Sequence, residues 1–135
     1  MHLDDAHHII AGIRQAAADE GFAVSLAIVD ASGLQVAFER MDGAVPGSID
    51  VAIKKARTAS LFQTDSAQLG QIAAPGEAVY TLENTNGGLI SFGGGVVVRD
   101  AQRRVVGAVG VAGATVELDE TLAQLGPRLM AREAA

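Results

Sequence analysis

Residues 24–44 read VSLAIVDASGLQVAFERMDGA, and this stretch decides the fold. Its first half, Val24 to Val29, is apolar almost throughout, which predicts a strand buried on both faces. Asp30 to Gly33 supplies a turn whose glycine is free to adopt positive φ. The second half is a strand that runs directly into a charged turn. It delivers Glu39, Arg40 and Asp42 to one end of a sheet, where loops carry function. About ten residues later comes KKART, residues 54–58.

Outward from this hairpin, apolar spacing gives the remaining elements. Ala6, Ile9, Ile10, Ile13, Ala16 and Ala17 recur at three and four residues and describe one face of a first helix. Asp4 is its expected N-cap and Gly21 its stop. Strands are expected over 23–31 and 34–40. Ser48 should cap a second helix with Ile49, Ala52, Ile53, Ala56 and Ser60 inward. A short helix over 66–72 ends at Pro75 and Gly76, and residues 79–86 read as loop or irregular strand. The glycine-rich run 87–95 brackets a further short strand. Strands over 96–99 and 104–112 follow, joined by a turn. A last helix starts near Thr115 with Leu118, Leu122, Leu125 and Leu129 on one side. The order is α-β-β-α-(α)-β-β-β-α: one antiparallel sheet of about five strands flanked by helices, an α/β (α+β) domain spanning 1–135.

Composition narrows the function classes. The chain has 135 residues, 49% of them hydrophobic but only 4% aromatic, so its apolar surface is aliphatic and more than one small core absorbs. A homo-oligomer is the expectation. A net charge of −6 argues against nucleic acid as partner. No apolar run approaches a membrane span. The absence of cysteine excludes disulfides, thiolate catalysis and cysteine-ligated metal sites. Helical patterning from Leu3 leaves no room for a signal peptide, which predicts a cytoplasmic protein.

Several segments together resemble the GlcG-like family, whose HbpS-type members are labelled heme-binding or heme-degrading. They are ERMDGA at 39–44, KARTA at 55–59, the glycine-rich NTNGGLISFGGG at 84–95, and GVAGAT at 110–115 with Glu117, Asp119 and Glu120 after it. The resemblance covers roughly residues 3–128. It implies a profilin- or GAF-like sheet, a homo-oligomer built from dimers, up to a tetramer or octamer, and heme or a related tetrapyrrole as ligand. Ala112 and Leu118 depart from the family pattern, where a Ser and a polar residue are commoner.

Each candidate residue carries two readings. His7 and His8 are adjacent on a helix, about 100° apart, so they cannot chelate one ion as an i, i+4 pair would. They are either a solvated helix start or, one of them, an axial heme ligand. Met41 and Tyr80 are the other axial candidates, and Met41 is equally packing filler. Arg40 either pins the turn through an ion pair or orients a ligand carboxylate. Asp42, or Glu39, could then act as an acid–base catalyst. Lys55 lies on the flank of the second helix's stripe, whereas Lys54 faces away. From there Lys55 reaches a carboxylate, Asp42 or Asp119, or holds a heme propionate, with Thr58 one turn further on. The glycine run matches no nucleotide loop. It is either a pair of turns or a pocket wall formed by Asn84, Asn86, Gly87, Gly88 and Gly94. Acids after Thr115 complement the helix dipole, and no Ser-His-Asp set can be assembled. Three functions stay open: a heme or tetrapyrrole binder assisting its degradation, a metal-free enzyme or sensor for an organic acid, and an accessory protein of a catabolic operon.

Overall fold

The computed structural model describes residues 1–134. Four antiparallel strands form one sheet in the order β2-β1-β4-β3, with β1 at Ser25–Asp30, β2 at Gln35–Arg40, β3 at Gly95–Arg99 and β4 at Val105–Ala112. Helices α1 (Leu3–Asp19), α4 (Val116–Ala123) and α5 (Leu125–Ala134) contribute to one side of it, and α2 (Ser48–Phe62) lies on the other. A short α3 (Ser66–Ala73) and a single 3-10 turn at Leu82–Asn84 lead into a long excursion before β3.

Both faces of β1 are buried, as its unbroken apolar run predicts. Leu26 and Ile28 join Val96, Val98, Val109 and Val111 beneath Ile9, Ile10 and Ile13 of α1. Ala27 and Val29 face the other way, with Ala108 and Ala112, against Ala52, Ala56 and Ala59 of α2. Small residues on both partners let α2 come unusually close to the sheet. A Cβ on Gly110 would stand 2.0 Å from Ala52 O, and one on Gly95 2.3 Å from Lys55 O. Glycine is therefore required at these two strand positions by proximity.

The sheet has four strands, not about five. The expected strand within 87–95 does not form, because that run crosses the flank of α2 instead of lying along a sheet edge. Ile90 N donates to Thr58 Oγ1 at 3.0 Å and Leu89 N to Glu83 O at 2.9 Å. The single last helix is also two. Pro127 sits in the first turn of α5, where its missing N–H costs no helical bond. Gly126 brings α5 against the sheet, since a Cβ there would stand 2.6 Å from Val109 Cγ2. At α1 the N-cap is His2, not Asp4, and Asp5 Oδ2 accepts from His2 N. Ser48 opens α2 from inside its first turn, sharing a 2.8 Å hydrogen bond with Ser25 Oγ, while Gly47 is the N-cap.

Candidate functional site

The end of β2 builds a groove. Glu39 pairs across the sheet with Leu26 and Arg40 with Ser25, so these neighbours point to opposite faces. Glu39 turns to α1 and forms an ion pair with Arg14. Arg40 turns to the α2 side and is exposed. Met41 is half-buried and its sulfur accepts from Val24 N at 3.4 Å, a packing contact that anchors the strand end. Asp42 is exposed, and Gly43, at φ 87°, reverses the chain after it. Arg14, Gln15 and Ala18 close a groove of about 460 Å³ with Glu39, Arg40, Met41 and Asp42. Arg14 was not singled out in the sequence. Its signal is that it is the sole Lys or Arg in α1.

Lys55 lies at the opposite edge of the sheet, beside β3, so the structure does not join it to Arg40. Its side chain is 1% exposed. The ammonium donates to Asp119 Oδ2 at 3.1 Å and to Val111 O at 2.9 Å, and lies 5.1 Å from the centre of the Phe92 ring. Of the two carboxylates open to it, Asp119 is the partner. Asp119 Oδ1 also accepts from Ala114 N at 3.0 Å, tying the loop after β4 to α2. Burial pushes the Lys55 pKa down, against the opposing pull of Asp119 and Glu120. Gly94 packs on this ammonium so closely that a Cβ would stand 2.6 Å from Nζ. Its N–H donates to Glu120 Oε1 at 2.9 Å.

The glycine-rich run is a strap laid over α2. Thr58 Oγ1 donates to Lys54 O at 2.7 Å while accepting from Ile90, which fixes the middle of the strap. Arg57 Nη2 donates to Asn86 O at 3.2 Å. Asn84, Asn86 and Gly87 are exposed, and Gly88 covers Lys54. The structure thus brings Lys55, Thr58, Asn86, Gly88 and Gly94 around α2 and leaves Glu39, Arg40, Met41 and Asp42 in the separate groove.

At the other end of the sheet, a cleft of about 380 Å³ opens between α1, α5 and the β3–β4 turn. Asp5, Arg99, Asp100, Ala101, Pro127, Met130 and Ala131 line it. His8, one turn after Asp5 on α1, shares its face. His8 is half-buried with Nε2 shielded from solvent, and His7 is exposed. Among the described residues no group of three or more His, Cys, Asp or Glu could hold a bare metal ion.

The family model for the haem degrading protein HbpS-like group matches residues 1–127. The chain belongs to the HbpS-like family. GlcG of Escherichia coli K12 is 33% identical to this HbpS-like chain over 108 residues, 79% of the chain and 77% of GlcG. The corrinoid adenosyltransferase PduO of Salmonella typhimurium is 34% identical over 126 residues, 92% of the chain, which spans only 37% of that protein's length. The solved structure of a PduOC:heme complex superposes on the HbpS-like fold with a TM-score of 0.90 at 31% identity, covering 96% of this chain and 94% of that one.

Proposed function

We propose that the protein binds heme or a related tetrapyrrole as a homo-oligomer. The observation that carries this reading is the close likeness, over nearly the whole chain, to a structure solved with heme. The residues present suit such a ligand. The α1–α5 cleft offers a wall of Ala101, Pro127, Met130 and Ala131 for a porphyrin edge and Arg99 for a propionate. His8, one turn after Asp5 on α1, lies outside the cleft lining with Nε2 shielded from solvent and would have to turn into the cleft to ligate iron, whereas exposed His7 is the donor for a ligand closed off by another subunit. At about 380 Å³ the cleft lies at the low end of the range for small-molecule sites, so a neighbouring subunit would cover the rest. Bound heme would supply an iron centre for electron transfer and dioxygen chemistry. The chain's own residues bind it, orient it and keep water from it.

Assembly is supported by exposed apolar side chains in several places: Leu34 is 66% exposed, Val45 59% and Leu3 53%. No described helix is long and apolar enough to cross a membrane. The net negative charge disfavours nucleic acid as a partner.

A second reading is supported by the β2 groove. The Arg14–Glu39 pair is internally neutral; Arg40 leaves the strand on the α2 face but is exposed at the rim of the groove, from which it would meet an organic acid's carboxylate while Asp42 moves a proton.

Hemin titration of the purified protein, followed at the Soret band, tests the principal reading. Saturation at one heme per subunit or per dimer is expected, with affinity reduced about tenfold or more in His8→Ala or His7→Ala through loss of the iron–imidazole bond. Linear, unsaturating uptake that neither change affects would reduce hemin to surface adsorption.

A further inference from the structure

The sheet ends in β2 on one side and β3 on the other, and only the β3 edge is closed. There the outward N–H groups are taken up by side chains from the start of α3. Gly95 N donates to Ser66 Oγ at 2.9 Å and Val97 N to Asp65 Oδ1 at 3.0 Å. β2 has no such cover. Met41 N donates to Val24 O, so Met41 faces β1. Antiparallel alternation back from Met41 turns the N–H and C=O of Phe38 and Arg40 outward. Among the described residues no side chain or other element bonds these groups. An open edge of this kind is a template for another strand. The usual guards are weak here. The bulge of β2 falls at Val36, beside the hairpin turn, and residues 37–40 stay in regular register. Glu39 is already neutralised by Arg14.

The surroundings of this edge fit a second copy of the chain. Leu34, 66% exposed, precedes β2, and Val45, 59% exposed, follows it. When β2 pairs antiparallel with itself, the start of each strand lies beside the end of the other, so both residues are covered together. Charge sets the register. A two-fold axis at Glu39 or at Arg40 would put like charges directly opposite, which is unfavourable. An axis at Phe38 sets the two Phe38 rings side by side and Glu39 against Ala37 of the partner subunit. It also sets Leu34 against Asp42 of the partner subunit, at the turn that leads to Val45. On the α1 face the two Glu39 become diagonal neighbours, each with its own Arg14, and the four charges cancel. Ala11 and Ala18, i−3 and i+4 from Arg14, are exposed on the same flank of α1. Their small side chains leave room for α1 of the second copy.

We propose that β2 is the surface through which two copies join, as an antiparallel β2–β2 pair about a two-fold axis at Phe38 that continues the sheet from one copy into the other. The interface specifies the homo-oligomer proposed above, on which it rests. It takes up the β2 groove, so it competes with an organic acid for those residues.

Sedimentation velocity and spin-label distance measurement on the full chain test this. The chain has no cysteine, so Gln35→Cys carries one label per subunit at an exposed position. Gln35 lies opposite Met41 of the partner subunit, so the two labelled backbones should stand about 20 Å apart, the rise of a strand from 35 to 41. Leu34→Glu removes the apolar contact and sets a carboxylate against Asp42. It should raise the dimer dissociation constant about tenfold or more, with the far-UV circular dichroism unchanged because Leu34 is exposed. An oligomer without a distance near 20 Å, or one whose dissociation Leu34→Glu leaves unchanged, would overturn the β2 contact while the homo-oligomer stands. A monomer at every concentration would overturn both.

Discussion

Asp119→Ala lowers the unfolding free energy by about 3–5 kcal/mol, the cost of leaving a buried charge without its partner. Lys55 has no other carboxylate within ion-pair distance among the described residues, and Ala114 N loses its acceptor as well. The paired change Lys55→Met with Asp119→Leu should recover most of that loss, because apolar replacements remove the desolvation penalty along with the attraction. Equilibrium denaturation of the single and double variants measures both. The same experiment run against pH carries a sign. Burial holds the Lys55 pKa below its ordinary value of 10.5. Between the lowered value and 10.5 the unfolded chain binds more protons than the folded one, so stability rises with pH through that window. Below the window the penalty of charging Lys55 is present in full. Lys55→Met should abolish this alkaline rise.

Gly110→Ala should cost about 3 kcal/mol or more, at the upper end of overpacking effects. The added Cβ would stand 2.0 Å from Ala52 O and 2.8 Å from Ala56 N, both backbone atoms of α2. No rotamer change relieves a backbone clash, so α2 must lift from β4 and uncover Ala52 and Ala56. Gly76→Ala is the contrasting change. It is exposed and meets nothing within 4 Å, so only its φ of 86° resists the substitution. Thermal melts of the two variants should therefore differ widely, and equal losses would mean that α2 does not pack as closely as described.

The contrast between these glycines also marks what a sequence reveals. The stripe on α1 and the double burial of β1 follow from local periodicity, and the structure contains both. Asp119 as partner of Lys55 was one of two alternatives, because a flanking lysine's reach is legible but its direction is not. Glu39 and Arg40 were grouped by adjacency, although strand alternation alone sends them to opposite faces. Arg14 meets Glu39 of β2 from another element, a pairing that no spacing within α1 announces. Leu89, Ile90 and Phe92 have the look of a short apolar strand, which is why the sequence predicts a fifth strand where the structure has a strap. What decides otherwise is Thr58 on α2 taking the Ile90 N–H, a tertiary contact. Lys54 and Arg57 likewise gain their roles from tertiary contacts, Gly88 packing on Lys54 and Asn86 O accepting from Arg57.

Native mass spectrometry of the hemin-saturated protein tests the central proposal most directly, since one spectrum reports both subunit number and heme count. The account predicts an even-numbered oligomer carrying one heme per subunit or per dimer, with that count falling in His8→Ala or His7→Ala while the oligomer persists. A monomer, or a ladder of heme counts unrelated to subunit number and unchanged in both variants, would contradict it.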